Sequence, residues 1–256
     1  MSEEARVDES QRGNATSKVL SVLDALGDNR RFADLVSATG LPKSSVHRIL
    51  QDLVRGGFCT VDDAGGYLPG PKLMGLAGRV FGRHDALAGA APALEQLRSR
   101  TGATVHLAQL AGDEAVYVRK LEASKPYRMA SRVGMSIPLH CTAIGKALLA
   151  GMPRREAVEI VARAGQPART PHTRTTPEAL EADLDLTTER GWALDDEENE
   201  IGVVCVGAAV RDATGRVTAA VSVSQLLGDL EEMPPGVAGP LVAETAREVS
   251  NSMGWS

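Results

Sequence analysis

The chain has 256 residues, 43% hydrophobic but only 3% aromatic, and a formal net charge of −5. That length accommodates two domains with aliphatic cores, and the negative total excludes a protein that coats nucleic acid indiscriminately. Three dispersed cysteines, Cys59, Cys141 and Cys205, exclude a disulfide framework or a CxxC zinc site and point to a reduced, cytoplasmic protein.

Residues 1–14 are polar and mixed in charge, lack the apolar core of a signal peptide, and read as a flexible tail. No later apolar run approaches the ~20 residues of a membrane span, so no membrane partner is expected. A helix follows over 17–26, lined on one side by Val19, Leu20, Val22, Leu23 and Leu26. The stretch 32–53, FADLVSATGLPKSSVHRILQDL, then describes two short helices joined by a Gly-containing turn, a helix-turn-helix. Its first helix turns Leu35, Val36 and Ala38 to a core and breaks at Gly40. The second repeats Val46, Ile49, Leu50, Leu53 and Val54 at steps of three and four.

Pro42 presets φ at the start of that second helix, which begins at Lys43 and carries Lys43, Ser44, Ser45, His47 and Arg48 on its other face. In a major groove, Arg and Lys address guanine at ~1–3 kcal/mol of discrimination per bidentate contact, and Ser addresses bases or phosphates. Ser44, Ser45 and Arg48 are the preferred base readers. Arg30 and Arg31 are placed for phosphate, with a plain solvated face as the competing reading. Residues 58–61 and 67–68 flank Asp62-Asp63-Ala64-Gly65-Gly66 and read as the hairpin wing of a winged helix. Two aspartates at its tip do not attract phosphate, so this wing is expected to be structural. Over 11–60 there are seven Lys and Arg against four Asp and Glu, whereas over 81–256 there are 18 against 23. A small basic head on an acidic body suits sequence-selective DNA binding.

Pro71 opens a linker helix over 72–88, with Leu73, Leu76, Ala77, Val80 and Phe81 on the side that meets either its own head or a partner chain. The pattern then mixes helices (91–101, 142–150, 154–164, 177–190, 237–253) with strands (103–110, 115–121, 127–131, 192–194) and a hairpin over 202–224. Residues 166–177 read as an exposed loop. Without strict βαβ order this is α+β, with an antiparallel sheet covered on at least one face. The domains are 15–70, a linker at 71–88, and 89–256. If Ala213-Thr214 form the tight end of the last hairpin, Cys205 faces Ser222 and Val203 faces Ser224. Period two also sets Ser222 and Ser224 on one face. That face is either a binding surface or a core of small residues.

The segments TGLPKSSVHRIL (39–50), PLHCTAIGKALLA (138–150), GWALDDEENEIGVVCVGAAVRDATGRV (191–217) and AAVSVS (219–224) resemble the IclR family of bacterial transcriptional regulators. They stand in that family's order and spacing, from about residue 15 onward. The resemblance implies a winged helix that binds a double-stranded DNA operator and a GAF-like C-terminal sheet with flanking helices. It also implies a small, frequently acidic effector and homodimers that often pair as dimers of dimers. Matched motif by motif, the family's effector contacts fall on Ala143, Ile144, Asp195, Cys205, Ser222 and Ser224.

Local chemistry agrees with a small organic acid. The start of the helix near Thr142 favours a carboxylate, and Asp195 accepts from a hydroxyl or amine, or repels a second acid group. No cofactor or metal is expected: zinc needs three or four converging ligands at ~2.0–2.3 Å, and His140, His106 and Cys205 are the nominees that remain. His140 reads instead as a histidine bonded to a backbone carbonyl. Two other functions compete: a cysteine-dependent GAF-like enzyme, for which no signature of nucleophile, base and oxyanion donors is visible, and an architectural DNA-binding protein without a ligand.

Overall fold

The structure, a computed structural model, describes residues 14–83 and 89–255, and the side chains of all of these except 80–83. The chain divides into two compact units at residue 84.

In the N-terminal unit, α1 (Ala15–Ala25) is capped by Asn14, whose side chain accepts from the Ser17 N–H at 2.9 Å. Helix α2 (Phe32–Thr39) stops at Gly40, which takes a left-handed φ of 62°. Helix α3 (Lys43–Arg55) follows Pro42. Val22, Leu26, Leu35, Val46, Ile49, Leu50, Leu53 and Cys59 form the core of this unit. The buried stripe is narrower than the periodicity suggests: Leu20 (60% exposed), Ala38 and Val54 face outward. Three short helices enclose little volume, so the outer positions of each stripe stay in water. Strands β1 (Cys59–Val61) and β2 (Tyr67–Pro69) form the hairpin, and the Tyr67 N–H donates to the Arg30 carbonyl at 2.8 Å, tying the hairpin to the start of α2.

Helix α4 covers Pro71–Arg83, and the remaining part of the expected linker, 84–88, lies outside the described residues, as does the expected tail at 1–13. On α4, Leu73 and Ala77 are half-buried, whereas Leu76 and Met74 are exposed; the side chains of Val80 and Phe81 lie outside the description.

The C-terminal unit is a six-stranded sheet in the order β5-β4-β3-β8-β7-β6, antiparallel throughout. Its strands are β3 (Thr104–Ala111), β4 (Glu114–Leu121), β5 (Ser136–Pro138), β6 (Ala193–Asp196), β7 (Val203–Arg211) and β8 (Val217–Leu226). One face offers Val105, Leu107, Val206, Val221 and Val223 to α5 (Ala91–Thr101) and α9 (Pro235–Ser252). The other offers Ala108, Ala115, Ala193 and Ala220 to α6 (Ala143–Gly151), α7 (Arg154–Ala164) and α8 (Pro177–Arg190). Both faces are therefore covered, and small side chains on the second let helices approach closely.

Two expectations need correction. Residues 127–131 form no strand; the edge strand beside β4 is β5 instead. In this segment the carbonyls of Met129 and Ser131 each accept from Lys120 Nζ at 2.7 Å, a side chain taking the place of a neighbouring strand. The register of the last hairpin also differs: Cys205 pairs with Ser224, Gly207 with Ser222 and Val203 with Leu226. The turn is longer than Ala213-Thr214, closing with the Asp212 N–H on the Arg216 carbonyl at 2.9 Å, and an irregularity falls between Val210 and Arg211. A shift of two residues preserves faces, so Cys205, Ser222 and Ser224 still share a side.

Candidate functional site

On the head, Lys43, Ser44, His47 and Arg48 project outward from the first turns of α3, and Ser45 is half-buried. His47 also sets its ring edge-on to Phe32 of α2, with centroids 6.1 Å apart, so packing fixes its direction. Arg30 and Arg31 are exposed just before α2, with Arg31 at its N-cap. A cleft of about 450 Å³ separates α3 from the hairpin and is lined by His47, Gln51, Val54, Arg55, Val61 and Tyr67. Gln51 and Arg55 continue the stripe of His47 at i+4 and i+8, a signal present in the sequence that reads equally as solvated helix surface. At the hairpin tip the Asp62 carboxylate accepts from the N–H groups of Ala64 (2.9 Å) and Gly66 (2.7 Å), so it shapes the turn.

In the C-terminal unit, cross-strand pairing brings the predicted residues into one neighbourhood. Asp195 of β6 lies opposite Cys205 of β7, Cys205 opposite Ser224 of β8, and Ser224 opposite Thr104 of β3. The adjacent row is Ala193, Gly207, Ser222, His106 and Lys120. Helix α6 starts directly on this second row, because a Cβ on Gly207 would lie 2.7 Å from the Ala143 carbonyl oxygen. Thr142 caps α6 by accepting from the Gly145 N–H at 2.9 Å, which leaves the N–H groups of Ala143 and Ile144 as first-turn donors that the cap does not take. The Ile144 side chain itself belongs to the apolar core.

Thr104, His106, Asp195, Ser222 and Ser224 are all buried. Cys205 keeps part of its surface open, and its Sγ donates to Ser224 Oγ at 3.0 Å. Burial, and then the nearby Asp195, push the Cys205 thiol far above its usual range. Burial also raises the Asp195 carboxyl to about 7, against the opposing pull of Lys146. His106 is driven down to about 3 by burial and by the Lys120 ammonium, so its imidazole is neutral at physiological pH.

The turn after β6 is held from several directions. Asp195 Oδ1 accepts from the Glu198 N–H at 2.9 Å and the Asn199 N–H at 3.3 Å. The hydroxyls of Thr170 and Thr173, from the loop before α8, donate at 2.7 Å to the carbonyls of Glu197 and Glu198. Glu197 adopts a positive φ of 57°, a conformation a non-glycine residue keeps only when its surroundings impose it. Lys146, fully buried on α6, donates to Glu198 Oε1 at 2.5 Å and to Asp183 of α8. These supporting residues escape a motif reading. The available signal is a lysine within the apolar helix AIGKALLAG, which demands buried counter-charges.

His140 Nε2 meets the Pro167 carbonyl at 3.1 Å, the backbone contact expected of it. Among the described residues no group of three or more His, Cys, Asp and Glu is arranged to hold a metal ion. No described helix is long and apolar enough to cross a membrane.

Residues 15–63 match the IclR helix-turn-helix domain, and residues 78–251 match the C-terminal domain of bacterial IclR transcriptional regulators. The HTH-type transcriptional regulator XynR of Escherichia coli is 35% identical over 222 residues, covering 85% of this chain and 88% of that protein. The crystal structure of Thermotoga maritima IclR superposes with a TM-score of 0.75 at 31% identity, covering 94% of this chain and 98% of that one. An IclR homolog from Microbacterium hydrocarbonoxydans complexed with 4-hydroxybenzoate shares the fold, with a TM-score of 0.78, 24% identity, and 94% and 99% coverage. Two family matches that together span most of the chain, and a relative 35% identical over 85% of it, on a helix-turn-helix head and an antiparallel sheet domain of the matching type, make this chain a member of the IclR family of transcriptional regulators.

Proposed function

We propose that α3 reads an operator through Lys43, Ser44, Ser45, His47 and Arg48, with Arg30 and Arg31 on phosphates, and that a small organic acid alters this binding. The acid is held by the N–H groups of Ala143 and Ile144 together with Asp195, Cys205, Ser222 and Ser224. The observation that carries the reading is the set of polar side chains on an otherwise apolar, helix-covered sheet face, beside the uncapped donors of α6. Burying polar groups is costly unless they find partners. The α6 donors suit a carboxylate, and the hydroxyls and Asp195 suit a further polar group.

The regulator works in the cytoplasm as a homodimer or a dimer of dimers, because paired heads address two half-sites of one operator. Met74 and Leu76 on α4 are exposed and available to a second copy. Effector and operator are coupled only if the effector binds two head arrangements with different affinity. Cys205 is no nucleophile in this reading, because a thiol pushed upward by burial stays protonated at neutral pH.

Fluorescence anisotropy with the chain's own upstream DNA tests the reading. The titration is run against salt and against a panel of hydroxy, keto and aromatic acids that includes 4-hydroxybenzoate. Specific, salt-sensitive binding that at least one acid weakens or strengthens is expected. Specific binding indifferent to the whole panel would remove the sensor, and absence of specific binding here and at other promoters would remove the regulator.

A further inference from the structure

His106 stands at the centre of the polar neighbourhood, and neither its motif context nor the family's contact positions single it out. It lies in β3 opposite Ser222, its Nδ1 is 3.5 Å from Ser224 Oγ, and its Nε2 is 2.8 Å from Ser131 Oγ in the segment joining β4 to β5. Its ring lies against Tyr117 with centroids 4.5 Å apart. A chain of side chains therefore runs from Cys205 through Ser224 and His106 to Ser131. One direction satisfies each member: the thiol donates to Ser224, the Ser224 hydroxyl to Nδ1, and Nε2–H to Ser131. The 3.5 Å step is the loose one, near the limit of a hydrogen bond, and is the place where a ligand group can take over the Ser224 donor.

The charges around this chain constrain what that group is. Asp195 lies across β7 from Ser224, and Asp195 and Glu200 both act on Tyr117 and Cys205. The nearby ammonium groups already have acceptors. Lys120 Nζ holds the carbonyls of Met129 and Ser131 and lies 3.1 Å from Glu122, and Lys146 holds Asp183 and Glu198. A hydroxyl both donates and accepts, as Ser222, Ser224 and an uncharged imidazole do. A carboxylate only accepts, and here it would approach Asp195, whose own charge burial already penalises, so that the two could share the site only by taking up a proton.

We propose that His106 is a specificity-determining residue of this pocket and that, with Ser222 and Ser224, it selects an effector presenting a hydroxyl and rejects one presenting a second carboxylate to this end of the sheet. The inference rests on the effector-sensor reading above and narrows its ligand class to hydroxylated monocarboxylates, with the carboxylate left to the α6 donors.

Two matched probe series test it by calorimetry on the full chain: benzoate, 4-hydroxybenzoate and terephthalate; and hexanoate, gluconate and glucarate. In at least one series the hydroxylated monoacid should bind about tenfold or more tighter than both companions, since a site built around a hydroxyl strongly rejects an analogue lacking it. H106F keeps the ring against Tyr117 but loses both nitrogens, and should erase that preference; H106N retains an acceptor and a donor and should keep part of it. Nitrogen-15 spectra of the wild-type ring should report a neutral Nε2–H tautomer that responds to the preferred acid. Several results would overturn the proposal: a dicarboxylate binding as tightly as the hydroxy acid, an undiminished preference in H106F, a charged imidazole at neutral pH, or no binding in either series. If the proposal fails while a different metabolite alters operator binding, the sensor reading stands and only the selection by His106 falls.

Discussion

Replacing Lys146 by methionine isolates the support beneath the candidate pocket. The ammonium is fully buried and neutralises Glu198, itself buried, and Asp183, so K146M strands the Glu198 carboxylate in the protein interior and leaves Asp183 with Arg190, 3.9 Å away. Glu198 already has its Oε2 buried without a hydrogen-bond partner, and the Arg174 guanidinium acts on it only through its charge. Removing one member of a buried ion pair costs about 3–5 kcal/mol. For a domain of this size each kcal/mol lowers Tm by about 2–4 °C, so the C-terminal transition should fall by roughly 6–20 °C. Scanning calorimetry of the full chain measures this, with the N-terminal unit as an internal reference. The loss should shrink at pH 5, where the stranded Glu198 carboxyl, raised by burial, takes up a proton more readily, and adding E198Q should restore more than half of it. A drop below about 2 °C, smaller than a single kcal/mol, or no recovery with E198Q, would refute the argument that Lys146 is held by charge.

Three further outcomes follow from the same geometry. Burial raises Asp195 from 3.8 to about 7, so the folded state binds the proton more tightly than the unfolded chain, and its contribution to stability declines as pH rises from 3.8 through about 7. D195N, which still accepts from the Glu198 and Asn199 N–H groups, should flatten that part of a urea-denaturation pH series; an unchanged slope would contradict the assignment. G207A places a Cβ 2.7 Å from the Ala143 carbonyl oxygen and should cost about 1–3 kcal/mol of stability. If G207A folds, it should also weaken the calorimetric affinity of any acid that binds wild type. R48A should lower operator affinity by about 1–3 kcal/mol and leave non-specific DNA binding nearly unchanged, as anisotropy with operator and scrambled duplexes will report.

The local signals in the sequence were sufficient for most of the elements and for the helix proposed to read DNA. The steps of three and four from Val46 to Leu53, the break at Gly40 and the position of Pro42 fix α3, because helix periodicity and backbone restriction act within a few residues. Period two likewise assigned Cys205, Ser222 and Ser224 to one face even though the pairing differed by two residues, since parity survives such a shift. Register itself depended on a turn whose length is set by the Asp212 bonds, and the non-strand course of residues 127–131 depended on Lys120 of β4, which takes two of their carbonyls. His106 beside Ser224, Lys146 between Asp183 and Glu198, and Thr170 on the Glu197 carbonyl join residues 27 to 118 positions apart. Such meetings have no local pattern. They exist because the sheet order carries β3 next to β8 and closes α6 over β7 and β8, and that order is decided by how the whole domain buries its two faces.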